Sequence, residues 1–216
     1  IPKADRPVFG TELRVSQIVV YPKVSQEEKQ KVINRLKEFK ADVIDNGASF
    51  ISKAVLYSED PGSRTKGGKY SINRRTSPMD KKFNDVAFSL SEGEISEPFE
   101  TSFGYFIIFL EKIRGQEYDI RTILLRPKVS QKEINQTKQR LDKIRERVVA
   151  GEISFADAAR EASDEMETRN DGGLLINPET QDYNFELTKM DPELYSQIAN
   201  LKEGELSIVY QDEDRF

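Results

Sequence analysis

Pro22-Lys23-Val24-Ser25-Gln26 recurs as Pro127-Lys128-Val129-Ser130-Gln131, 105 positions further on. The same offset pairs Phe50 with Phe155, Ala54 with Ala159, Ser58 with Ser163 and Gly67-Gly68 with Gly172-Gly173. Beyond that point the offset is 111, pairing Met79 with Met190, Leu90 with Leu201 and Glu92-Gly93-Glu94 with Glu203-Gly204-Glu205. One register with a single jump marks an internal duplication. The jump places six additional residues in the second copy, around Asn177–Tyr183.

Each copy reads as the same series of elements. Val15–Tyr21 and Ile120–Leu125 are β-branched runs of strand type. Val32, Ile33, Leu36, Phe39, Val43 and Ile44 follow at helical spacing, as do Ile134, Leu141, Ile144 and Val148. Asn46-Gly47 and Ala150-Gly151 stop these helices, glycine being suited to the left-handed cap. Ser49 and Ser154 start a short second helix. A strand over Tyr70–Ile72, a third helix over Lys81–Leu90 and an apolar strand over Tyr105–Lys112 complete the first copy.

The order β-α-α-β-α-β-β predicts an α+β fold, with a small four-stranded, largely antiparallel sheet covered by helices in each copy. The expected divisions are an irregular lead-in over residues 1–11, a first domain over 12–114 and a second over 115–216, with a boundary at Arg114-Gly115-Gln116. The second copy has no counterpart of Tyr105–Lys112, and the chain begins at Ile1 rather than Met. Both features are read as signs of a piece of a longer protein.

Composition excludes whole classes of chemistry. The chain has no Cys and no His, so thiolate nucleophiles, disulfides and imidazole-based triads are absent. A zinc site would need carboxylates alone, so no metal or other cofactor is expected. Charged residues are 33% of the chain and interspersed, with a net charge of −5 and no basic stripe of the kind that binds nucleic acid. No apolar run approaches the roughly 18–20 residues of a membrane span. Gly67-Gly68 lacks the Lys-Ser/Thr of a phosphate loop, and Asp164, Glu165, Asn170 and Asp171 fit no calcium loop.

Several strings occur in a fixed order between Gln17 and Lys112. They are Ser58-Glu59-Asp60-Pro61-Gly62-Ser63, Gly67-Gly68, Met79 followed by Phe83, Ala87-Phe88-Ser89-Leu90, Gly93-Glu94-Ile95-Ser96-Glu97-Pro98 and Thr101-Ser102-Phe103-Gly104-Tyr105. In this order and spacing the segment resembles a whole parvulin-type peptidyl-prolyl cis-trans isomerase domain. Two such modules in tandem resemble the SurA-like folding factors of the bacterial periplasm. The resemblance implies isomerisation of X-Pro bonds, clients that are unfolded or extended proline-containing polypeptides, and a place in the periplasm or cell envelope.

Rotation about an X-Pro bond meets a barrier of about 20 kcal/mol and breaks no bond. A catalyst has to bind the twisted amide better than the planar forms. By resemblance, Met79 and Phe83 form a slot for the proline ring, with Phe88, Tyr70 and Phe103 near it. Asp60 stands beside the rotating carbonyl and Thr101 belongs to the polar network behind it. The family's two histidine positions are Gln17 and Phe106 here; Gln17 can still hydrogen-bond, whereas Phe106 cannot. In the second copy the corresponding residues are Met190, Leu194, Glu165 and Thr122. The leading expectation is an isomerase region of an envelope folding factor. A second reading is a peptide-binding module that keeps the slot without turnover, and a third is a structural spacer.

Overall fold

The computed structural model describes residues 12–186 and 190–216, so the lead-in over 1–11 lies outside the described residues. In chain order the regular elements are β1 (Glu12–Leu13), α1 (Gln26–Asn46), α2 (Phe50–Tyr57), β2 (Lys69–Asn73), α3 (Lys81–Ala87), β3 (Phe99–Thr101), β4 (Gly104–Arg114) and β5 (Glu117–Leu125). They continue with α4 (Gln131–Val149), α5 (Phe155–Ala162), α6 (Met166–Arg169), β6 (Phe185–Glu186) and α7 (Pro192–Ile198). The expected caps operate. Ser49 and Ser154 accept the backbone N–H three residues on, and Gly47 ends α1 with φ 66°; Ser25, not singled out from sequence, caps α1 in the same way. The third helix stops at Ala87, shorter than the spacing predicts.

Two compact units result: a first module of Val24–Ser130, and a second module of residues up to Lys23 together with Gln131–Phe216. The first module holds an antiparallel sheet in the order β2-β5-β4-β3. On one face Tyr105, Ile107 and Ile123 pack with Leu36, Phe39 and Phe50 of α1 and α2. On the other, Phe106, Ile108, Leu110, Tyr118, Ile120 and Leu124 pack with Phe83 and Ala87 of α3. Buried on both faces, β4 reads as a nearly continuous apolar run, as a central strand must.

These units do not coincide with the repeats 12–114 and 115–216. Arg114-Gly115-Gln116, read from sequence as a boundary, is a hairpin turn: Gly115 has φ 64°, Arg114 pairs with Glu117, and β5 runs back along β4. The strand that opens the second repeat therefore completes the sheet of the first. Conversely, Val15–Tyr21 is extended chain in the second module rather than a strand of the first. The physical reason is local. A two-residue turn closes the β4–β5 hairpin with the smallest loss of chain entropy, and β5 buries Tyr118, Ile120, Thr122, Ile123 and Leu124.

The second module repeats several pairings of the first. Gln17 N–H donates to Gly173 O at 2.8 Å, as Thr122 N–H donates to Gly68 O at 2.8 Å. Asp164 N–H donates to Val19 O as Glu59 N–H donates to Leu124 O. The carboxylate of Asp164 receives Tyr21 N–H and Lys23 Nζ; that of Glu59 receives Arg126 N–H and Lys128 Nζ. Gly68 and Gly173 have φ 77° and 81°, and a Cβ on either would lie 2.3 Å from the carbonyl oxygen of Thr122 or Gln17. Only glycine tolerates both demands. The extra residues of the second copy form a turn, with Asn177 N–H on Asp182 O and Asn177 Nδ2 on Asn184 O. After it the pairing resumes as β1 with β6.

Candidate functional site

In the first module, α3 and the α3-facing side of the sheet bring the expected slot residues together. Asp80 caps α3 by accepting Phe83 N–H at 2.7 Å, which turns Phe83 onto the sheet. There the Phe83 ring meets Phe106 edge-on at 5.4 Å and Phe99 at 6.1 Å. Phe83 is only 4% exposed, so it forms the floor of the site rather than a wall. Met79, Phe88 and Tyr70 are half-buried against the same cluster, Phe88 lying edge-on to Tyr118 at 5.0 Å. Phe106, buried, extends the apolar floor where the resemblance would place a histidine.

The polar side converges on Asp60. Its Oδ2 accepts from the Tyr70 hydroxyl at 2.9 Å and from Ser63 Oγ; its Oδ1 accepts Gly62 N–H at 3.1 Å. Ser63 Oγ lies 3.4 Å from Thr122 Oγ1, and both residues are fully buried. Burial, and after it the bond to Asp60, holds the Tyr70 phenol above its ordinary pKa. Tyr70 thus joins the two halves, its ring on the apolar cluster and its hydroxyl on the carboxylate.

Three expected positions lie elsewhere. Gln17 belongs to the second module; the first-strand position beside Asp60 and Ser63 is filled by Thr122, because β5 occupies that place in the sheet. Thr101 uses its hydroxyl within the β3–β4 hairpin, donating to Gly104 O and accepting Phe103 N–H. Phe103 stands at the tip of that hairpin, 62% exposed.

The second module gathers Met190 and Leu194 on Val15 and Phe185. Leu194 and Gln17 line a cavity of about 260 Å³ with Tyr210, Asp191, Glu193 and Asp212. Gln17 therefore lies with the slot residues of the second copy rather than those of the first. Glu165 is half-buried ahead of α6 and its side chain makes no cap bond. The repeat position of Tyr70 is Leu175 here.

The family model for the rotamase domain of PPIC type, a peptidyl-prolyl isomerase domain, matches residues 18–112 and again 123–215. The chain belongs to the PPIC-type isomerase family. Among curated relatives, Chaperone SurA of Pseudoalteromonas translucida is 40% identical over 103 residues, 48% of this chain and 23% of that protein. Foldase protein PrsA 4 of Bacillus cereus is 35% identical over 127 residues, 58% of this chain and 41% of that protein. Chaperone SurA of Photobacterium profundum is 29% identical over 189 residues, 85% of this chain and 39% of that protein. The matched part is thus less than half the length of each of these relatives.

Both PPIC-type modules share the α+β fold that the duplication implies. Sequence reasoning missed Thr122 and Ser63 as members of the first module's network. Ser63 was visible only as the end of a turn-rich string. Thr122 was visible as the 105-residue partner of Gln17, and would have been found had the first strands been treated as interchangeable. Among the described residues no cluster of acidic side chains could hold a metal ion, and no helix is long and apolar enough to cross a membrane.

Proposed function

We propose that this chain is the peptidyl-prolyl cis-trans isomerase region of a folding factor that works outside the cytoplasm, and that its first module turns over extended, proline-containing segments of unfolded polypeptides. The observation that carries the reading is Tyr70, which ties the apolar surface of Met79, Phe83 and Phe88 to the Asp60 carboxylate. The apolar surface takes the proline ring. Asp60, held in one orientation by Tyr70, Ser63 and Gly62, sits beside the rotating amide. No nucleophile is needed, since no bond is broken; preorganised polar groups have only to favour the twisted amide. Relatives named as chaperone and foldase support unfolded clients, and the placement rests on the resemblance to SurA-like folding factors.

A protease-free isomerisation assay on a proline peptide, run with a binding titration, tests this. The 216-residue chain should accelerate cis-trans exchange, and Asp60→Ala should lower kcat/KM about tenfold while affinity changes little. Binding without any acceleration would overturn the catalytic reading. Recovery of the native protein in the cytoplasmic fraction would overturn the placement.

A further inference from the structure

The loop and helix that present Met79 carry four exposed cations, Arg74, Arg75, Lys81 and Lys82. Arg74 is fixed at the slot: its guanidinium lies 5.8 Å from the centre of the Phe88 ring and donates to the Tyr118 hydroxyl at 3.1 Å. Two carboxylates share the stretch. Asp80 is committed to capping α3 through Phe83 N–H, and Asp85 is exposed on the helix. The segment from Arg74 to Asp85 thus carries four positive and two negative charges in a chain whose net charge is −5.

The second copy keeps the slot methionine and reverses the rim. At the positions of Lys81 and Lys82 it has Pro192 and Glu193, while the β1–β6 register sets Phe185 and Glu186 at the places of Ile72 and Asn73. Its cavity beside Leu194 is lined by Asp191, Glu193 and Asp212 against one cation, Arg215, which is itself bonded to Asp212. Two slots built on one plan therefore meet their ligands with opposite charge.

We infer that the first module selects proline-containing segments that carry an acidic side chain beside the proline. The inference rests on the proposed slot and adds the substrate class that it takes. A proline ring on Met79 and Phe88 brings neighbouring residues of an extended segment to the cationic rim, where opposite charge lowers the energy of the complex and like charge raises it. An extended peptide fits better than nucleic acid, because the cations flank an apolar surface rather than forming a continuous stripe.

Three peptides that differ only in the residue before proline, Glu, Leu or Lys, test it by titration against the full chain. The Glu peptide should bind about three- to tenfold more tightly than the Lys peptide, as expected for solvent-exposed charge pairs. The gap should narrow above about 0.15 M salt, where the screening length is near 8 Å. Both substituted side chains of R75E/K82E are exposed, so the variant keeps the fold. The difference between the native chain and R75E/K82E reports the first module alone, and its Glu preference should vanish or invert. Equal affinity for the Glu and Lys peptides, a preference untouched by R75E/K82E, or no binding at all would overturn the inference. So would displacement of the Glu peptide by an equal concentration of a short oligonucleotide. Charge-selective binding without turnover would support it while overturning the catalytic reading.

Discussion

The two modules are copies in sequence yet differ in how completely they bury the strand they receive. In the first, β5 lies between β2 and β4 and hydrogen-bonds along both edges, so Ile123 is fully buried. In the second, the equivalent segment pairs at Ser16 with Leu174, at Gln17 with Gly173 and at Val20 with Phe216, and Ile18 stays half-buried. The same residue type at the same repeat position thus has two environments. A strand becomes core when partners flank it on both sides, and its own sequence does not supply them. The polar sites differ likewise. Asp60 has a phenol and a buried serine; in the second copy the repeat position of Tyr70 is taken by Leu175.

The largest expected effect separates the two strands. Ile123→Ala should destabilise the first module by about 3–4 kcal/mol, the cost of a cavity in a closed core. Ile18→Ala in the half-buried copy should cost about 1 kcal/mol, since less apolar surface is involved. Amide exchange resolved by module measures both, and equal losses would erase the distinction. Next in size is Tyr70→Phe, which removes one donor from Asp60 and leaves the ring in place. It should lower kcat/KM roughly fivefold, near the net worth of one hydrogen bond. Because burial and the Asp60 bond raise the Tyr70 pKa, the phenol keeps its proton through neutral pH. With no His or Cys in the chain, turnover should then stay flat between about pH 6 and 8.

The smallest effect concerns the clamp on the second module's strand. Burial alone would raise the Asp164 pKa, but the Tyr21 N–H and Lys23 outweigh it and hold the group below its ordinary value. A depressed carboxylate stabilises the fold above its unfolded-state pKa of about 3.9, and that contribution disappears as pH falls through the lower folded value. Exchange protection of Val19–Tyr21 should therefore weaken below about pH 4 by roughly 0.5 kcal/mol, as for a solvent-screened pair. Asp164→Asn should show the weaker protection at neutral pH and lose the acid dependence.

Much of this was written locally. Ser49 and Ser154 announce helix starts because a serine oxygen can take the first free N–H. The run Tyr105–Lys112 announces a central strand because only burial on both faces suits so many apolar residues in a row. The role of Phe83 as floor was less legible. Methionine and phenylalanine at helical spacing look alike whether they meet solvent or core, and only the rings of Phe99 and Phe106 close over one and not the other.

By itself the sequence determined the duplication, the α+β class and the caps, which depend on residue types at short spacing; the slot and carboxylate residues came only from the family resemblance. Only the tertiary structure decided which first strand each module uses, and with it whether Gln17 or Thr122 stands beside Asp60. Val15–Tyr21 and Ile120–Leu125 are equivalent by repeat position, so no local signal tells them apart. The choice falls to loop closure and burial. The two-residue turn at Gly115-Gln116 delivers β5 to the edge of β4 at the smallest entropic cost, and the sheet there buries it on both faces.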